Sequence, residues 1–234
     1  MTWKITGTGV ENDPYYGNVS LLLKGDGTNG STTIVDSSYD PKTITVNGDA
    51  QISTAQSKFG GSSLKFDGNG DYLSIPDDDS LELGTSDFTI EGFVYVVSDG
   101  IMFSKDTNIG VNYGNLQVTC SSSGNINFYC NPNSGNSTGL VLLSSTSSGL
   151  NTWTHFATTR SGNSWYLFYN GVLEDTATSS VGFRTSTAPL YVGCRLTSNS
   201  PSDFFNGYID DLRITKGVAR YTSNFTPPGP LPTF

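Results

Sequence analysis

Residues 63–75, SLKFDGNGDYLSI, are two short runs of alternating polarity around a glycine-rich turn. In the first run Leu64 and Phe66 point one way and Ser63, Lys65 and Asp67 the other. In the second, Leu73 and Ile75 oppose Tyr72 and Ser74. A period of two with the apolar residues on one side is the pattern of a half-buried strand. Gly68, Asn69 and Gly70 tolerate positive φ or bond their own backbone, so the stretch reads as a β-hairpin with one face buried. A helix here would carry two glycines within five residues, each costing about 1 kcal/mol.

The same period recurs along the chain. Residues 19–23 (VSLLL) are nearly all apolar, as for a strand covered on both faces. Residues 43–46 alternate and end at Asn47-Gly48-Asp49, a hairpin signal. Residues 87–96 form a long strand, and 116–120 with 126–130 a meander. In 153–159 Trp153 takes one face, and Phe156 needs a local irregularity or packs on the other. Residues 165–173 fold back around Asn170-Gly171, the strongest short-range hairpin signal. Residues 190–193 then lead to a closing strand over 205–214. A hydrophobic fraction of 35% with abundant Gly, Ser, Thr and Asn points to strand and turn with few helices, and the ordered alternation argues against disorder. At 234 residues the chain can bury one full sandwich core. No internal repeat supports a propeller or solenoid. The domain reading is an arm over 1–17, one domain over 18–220 and a Pro-rich tail over 221–234.

Twelve basic against twenty-one acidic residues give a net charge of −9, which argues against a nucleic-acid surface and is compatible with cation binding. Cys120, Cys130 and Cys194 match no zinc spacing, and buried free thiols are favoured over a bridge between Cys120 and Cys130. No apolar run approaches the roughly 20 residues of a membrane helix, and residues 1–7 show no apolar signal region, so no membrane insertion is expected.

SLKFDGNGDYLSIP resembles the opening signature of the laminin G-like, concanavalin A-like jelly-roll superfamily. The strand around Phe88-Thr89-Ile90-Glu91 resembles the family's FTIE strand, with Phe93 where the family prefers Trp. Trp153, His155 and Ala157 match its W-x-H-v-A strand, Asn170-Gly171 its turn, and Gly207-Tyr208-Ile209-Asp210-Asp211-Leu212-Arg213-Ile214 its closing strand. SLLLKGDGTNG, AQSKFGGSSLKFDG and KGVARYTSNFTPP are similar to laminin G-like domains of tailed-bacteriophage structural proteins. The resemblance spans about residues 18–228 and implies an all-β fold: two antiparallel sheets in a jelly-roll sandwich.

Along the closing strand Tyr208, Asp210, Leu212 and Ile214 share one face, and Ile209, Asp211, Arg213 and Thr215 the other. Leu212 and Ile214 should face the core, so Asp210 is expected there too. A buried carboxylate needs compensation, from backbone N–H groups or from a cation. Asp211 and Arg213 read as an exposed ion pair. The resemblance implies a structural calcium near such an aspartate, partnered by the loop after the first strand. The expected ligands are Asp26, Asp36 and Asp210 with backbone carbonyls. Asp77, Asp78 and Asp79 read instead as a solvated turn.

An enzyme is not expected. Glycanases on this fold set two carboxylates close together on one strand face, and Glu91 stands alone on its strand. His155 has no nucleophile motif beside it and reads as structural. GDGTNG lacks the Lys of a phosphate loop. Tyr113, Asn115, Tyr129 and Asn133 are of the types lectins use, but each also suits packing, and none is assigned to a site. The resemblance implies a non-enzymatic virion structural protein of a tailed phage, a capsid decoration or fibre-type module displayed on the particle and binding host glycans. Its partners would be other virion proteins of capsid or tail, with a homotrimer among the assemblies open to it. It would be assembled in the host cytoplasm and be extracellular after release. The alternatives are a secreted or cell-surface carbohydrate-binding module and, less favoured, an endo-glycanase.

Overall fold

Alternation governs the longest strand of the computed structural model, which describes residues 13–105, 116–131, 139–147, 149–197 and 199–232. Phe88, Ile90, Val94 and Val96 enter the core, while Thr89, Glu91, Phe93 and Tyr95 point out through the other face of the sheet. In chain order the strands among the described residues are β1 (Val19–Leu23), β2 (Thr45–Asn47), β3 (Gln51–Ser53), β4 (Ser63–Asp67), β5 (Tyr72–Ile75), β6 (Phe88–Ser98), β7 (Gly100–Lys105), β8 (Leu116–Cys120) and β9 (Ile126–Cys130). They continue with β10 (Leu140–Leu143), β11 (Trp153–Ser161), β12 (Ser164–Tyr169), β13 (Val172–Thr178), β14 (Leu190–Val192), β15 (Arg195–Thr197), β16 (Ser200–Ser202) and β17 (Asn206–Lys216).

Two antiparallel sheets carry the fold. One runs β13-β12-β11-β6-β17-β4-β3, with β1 also on β17; the other runs β10-β9-β8-β7-β14-β5-β2. Their facing sides enclose one core, where the rings of Phe88, Phe128, Trp165 and Phe183 pack with centroids 5.6–6.3 Å apart. Each such buried side chain contributes about 1.5–3 kcal/mol relative to exposure. This is the expected all-β jelly-roll sandwich. β1 is buried throughout: Leu21 and Leu23 face the core, and Val19 and Leu22 pack with Leu231 on the other side. The β12–β13 hairpin turns at Asn170 (φ 48°) and Gly171 (φ 78°), and β8 and β9 form the expected meander. Phe156 reaches the core without an irregularity because β11 pairs continuously with β6, Trp153 lying on the opposite face beside Tyr95. All three cysteines are buried free thiols. Among the described residues no helix is long and apolar enough to cross a membrane.

The hairpin expected over 63–75 does not form. β4 pairs with β17 and β3, whereas β5 pairs with β14 and β2 in the other sheet. The Gly68–Gly70 turn is an arch between layers, so Leu64 and Phe66 meet Leu73 and Ile75 across the core rather than beside them. Asn47-Gly48-Asp49 is a second arch, from β2 to β3, in place of a hairpin. Gly48 holds φ +67°, and a Cβ there would strike Asp71 Oδ1 and the Gly70 carbonyl.

The closing strand carries the second correction. Between Asp210, opposite Phe93, and Arg213, opposite Glu91, two residues stand against Gly92 alone. Asp211 takes φ +49° to make this bulge. The bulge shifts the alternation by one. Ile209, Leu212 and Ile214 all enter the core, and Asp210 faces the outer side of the eight-stranded sheet with Phe93. Asp210 is still buried, against the backbone of Lys58 and Phe59, and not between the sheets as strict alternation predicts. Nor are Asp211 and Arg213 an exposed pair: both are buried, and each has a different partner.

Candidate functional site

Strand register lays one row of side chains across the seven-stranded sheet. Thr45, Ser74, Tyr191, Ser104, Gln117, Tyr129 and Val141 are successive partners from β2 to β10. The flanking partners Phe103, Val118, Phe128 and Leu142 enter the core, so this row faces outward. At its β8–β10 end lies a groove of about 510 Å³. Gln117, Tyr129 and Val141 line it, with Asp99, Arg195 and Asp203 among its polar groups. Val141 is 43% exposed, so the groove meets solvent at an apolar lip.

Arg195 and Asp203 belong to the β15–β16 ribbon and the turn after it. Arg195 Nε donates to Asp203 Oδ2 at 2.6 Å, and Ser202 Oγ donates to the same oxygen at 3.0 Å. Burial pushes the Asp203 carboxyl up, but these bonds and the guanidinium charge hold it below the ordinary carboxylate range. Among the described residues the groove lining carries two carboxylates and one guanidinium, and the guanidinium is already engaged. Gln117 is only 4% exposed, and among the described residues its Nε2 has no hydrogen-bond partner. A polar floor, an aromatic ring and an apolar lip form a surface suited to a hydroxylated ligand with one apolar face.

The outer side of the other sheet is closed around Glu91. Arg213 Nε and Nη2 donate to Glu91 Oε1 at 3.0 and 2.6 Å, Arg213 Nη1 to Asp13 at 3.0 Å, and Tyr221 Oη to Glu91 Oε2 at 2.8 Å. His155 Nε2 lies 3.4 Å from Glu91 Oε2. Burial pushes the Glu91 carboxyl up, but the Arg213 charge and the polar contacts bring it down to about 2. Phe225 covers this cluster, stacked on Tyr221 at 3.5 Å and edge-on to Phe168 and His155. Glu91 is thus the centre of a buried ionic clamp that holds the C-terminal segment, and it is shielded from solvent.

Of the residues expected to hold a metal, Asp26 and Asp210 come together and Asp36 stands apart. Asp210 Oδ2 accepts the backbone N–H groups of Lys58 and Phe59 at 2.8 and 3.0 Å. Burial still raises its carboxyl to about 6, and the nearby Asp26 charge adds to the rise. Asp36 spends both oxygens on Leu22 N, Ser38 N, Ser38 Oγ and Lys42 N. Among the described residues no three His, Cys, Asp or Glu side chains converge to hold a metal ion. Asp77 is not merely solvated: it binds the buried Lys105 Nζ at 2.6 Å. Of the four lectin-type residues, Tyr129 lines the groove, while Tyr113, Asn115 and Asn133 lie outside the described residues. Gln117 was legible only as the outward position of a half-buried strand, a polar residue between Leu116 and Val118. Arg195 and Asp203 had no sequence signal as a pair.

A family model described as the concanavalin A-like lectin/glucanases superfamily matches residues 67–220. No curated protein matches the sequence. Among solved structures, the binding domain of Paraclostridial Mosquitocidal Protein 1 superposes with a TM-score of 0.67 at 16% identity, over 88% of this chain and 50% of that one. The binding domain of botulinum neurotoxin serotype D/C gives 0.64 at 16%, again over 88% and 50%. A structure of botulinum neurotoxin type C, whose cell entry depends on interaction with two ganglioside molecules, gives 0.63 at 16%, over 88% and 49%. The chain spans about half the length of these domains, and at such identity the likeness is one of fold.

Proposed function

The chain belongs to the concanavalin A-like lectin/glucanases superfamily, and from that premise we propose that it is a non-enzymatic module, displayed on the particle of a tailed phage, that binds host-surface glycans in the groove of the seven-stranded sheet. The observation that carries the proposal is the outward row through Gln117 and Tyr129, which ends in an open groove with a polar floor and an aromatic wall. A sugar ring has the matching chemistry: hydroxyls at its edge and an apolar face for stacking. The botulinum type C neurotoxin, which shares the fold, uses gangliosides for cell entry, and this supports a glycan as ligand.

The non-enzymatic part is supported by the lining of the groove. Asp203 is committed to Arg195, which leaves Asp99 without a free carboxylate partner among the described lining residues. Glycoside hydrolysis needs two, about 5 to 9.5 Å apart. The virion placement rests on the resemblance of SLLLKGDGTNG, AQSKFGGSSLKFDG and KGVARYTSNFTPP to phage structural proteins. Capsid or tail proteins are then the docking partners, with a homotrimer as the assembly. A structural calcium belongs to the same proposal, on Asp26 and Asp210 with loop carbonyls, since Asp36 has no free oxygen to offer.

Two measurements test this. Mass spectrometry of purified particles should find the chain at a fixed copy number; its presence only in a secreted or cell-surface fraction replaces the virion with a free lectin-like module. A glycan array should return a bound set that Tyr129→Ala abolishes. An empty array confines the chain to a structural role, and turnover of a polysaccharide revives the glycanase.

A further inference from the structure

The amide of Gln117 is at odds with its surroundings. The residue is 96% buried and lines the groove, yet among the described residues Nε2 finds no acceptor. A buried donor without a partner destabilises the folded chain, and an apolar residue of similar shape would remove that cost. Its register neighbours on either side, Ser104 and Tyr129, leave it facing the groove rather than the core. Among the described residues the charged groups of the groove leave a net negative charge. Asp99 and Asp203 bring two negative charges, and the one cation among the described lining residues, Arg195, is held by Asp203 at 2.6 Å. The chain as a whole carries −9.

Resting on the glycan reading above, we propose that Gln117 is the specificity-determining residue of the groove, and that the groove takes an uncharged saccharide and rejects acidic ones. The Nε2–H of Gln117 donates to an oxygen of the sugar, the bond that the free protein leaves unmade. Tyr129, its direct partner on β9, provides the ring on which the same sugar stacks. An anionic sugar meets a net negative charge and, among the described residues, no cation outside the Arg195–Asp203 pair, so its charge is desolvated against like charge. Selectivity comes from this repulsion as much as from the donor.

The test uses the full chain on an array carrying neutral N-acetylated and neutral hexose chains beside sialylated and sulfated ones. A bound set dominated by uncharged glycans is expected. A set dominated by sialylated or sulfated glycans overturns the charge selection while leaving glycan binding intact, and an empty array removes both. On the best-bound glycan, Gln117→Leu should weaken binding at least about tenfold. The same variant should melt no lower than the parent chain, because it removes an unpartnered donor. Unchanged affinity, or a clear fall in melting temperature with the parent's affinity, overturns the role of Gln117. Gln117→Glu, of equal size, should lose binding to neutral glycans without gaining acidic ones; a gain of acidic glycans also overturns it.

Discussion

Asp71 Oδ1 accepts the backbone N–H of Asp49 at 2.6 Å, tying the arch between β2 and β3 to the arch between β4 and β5. Its other oxygen accepts Asp67 N–H at 3.0 Å within its own arch. One buried carboxylate thus clamps two of the crossings between the layers. Asp71→Ala should cost about 2–3 kcal/mol, since it leaves two backbone donors without their acceptor. That corresponds to a fall of about 4–12 °C in melting temperature for a chain of this size. Asp71→Asn, which keeps one acceptor, should lose about half as much. A melting temperature within 1–2 °C of the parent for Asp71→Ala would show that water replaces the clamp.

Strands were legible in the sequence, and so were the local pairings β8–β9 and β12–β13, but partners distant in the chain were not. The alternation over 63–75 places Leu64, Phe66, Leu73 and Ile75 in the core whether the turn between them is a hairpin or an arch. Burial pattern alone cannot separate the two. Tight Asn-Gly turns divide the same way: Asn170-Gly171 closes a hairpin and Asn47-Gly48 an arch. At β17 the period of two failed at one residue, Asp211, because a bulge adds a residue to one strand only. Leu212 and Ile214 beyond it face the core as expected, whereas before it Ile209 enters the core and Asp210 leaves it. The groove depends on register across strands far apart in the chain, so Tyr129 was visible as a candidate while its pairing with Gln117 and the Arg195–Asp203 contact were not.

The Glu91–Arg213 pair joins residues 122 apart in sequence and is almost dry, with side-chain exposures of 1% and 5%. Removing one partner of a buried pair costs about 3–5 kcal/mol, because the other charge is left without compensation. Glu91→Gln should therefore lower the melting temperature by about 6–20 °C. It should also loosen the C-terminal segment, since Gln offers one accepting oxygen where Arg213 and Tyr221 now use two. Because Glu91 is held at about 2 against an ordinary value of 4.5, its contribution is present above pH 4.5 and fades as pH falls toward 2. Melting curves between pH 2 and 7 should show the parent and the variant converging at the acid end. A constant gap across that range would assign the loss to packing.

Calcium on Asp26 and Asp210 is checked by melting the chelator-treated protein with and without the ion. At about 100 times its Kd a bound ion stabilises by about 2.7 kcal/mol. A rise in melting temperature that Asp26→Asn abolishes is the expected result. Identical curves would leave Asp210 compensated by Lys58 and Phe59 alone.

Asp211 should make the protein less stable as pH rises through neutrality. Burial pushes its carboxyl up to about 7, and the charges of Asp210 and Asp26 add to the rise. The folded chain then holds this proton more tightly than the unfolded chain, whose ordinary value is 3.8. The stabilisation is complete below about pH 4 and is lost as pH climbs through 7. Asp211 Oδ2 accepts Leu231 N–H at 2.8 Å, while Oδ1 is buried without a partner. Asn at this position keeps the acceptor for Leu231, tolerates φ +49° at least as well, and carries no charge. Asp211→Asn should melt at least about 4 °C above the parent at pH 8, with the gap closing by pH 4. Salt should narrow the gap only slightly, because buried charges are weakly screened. If Asp211→Asn melts lower than the parent at pH 8, the ionised carboxylate is the form the fold prefers, and a cation or donor beside Oδ1 must hold it.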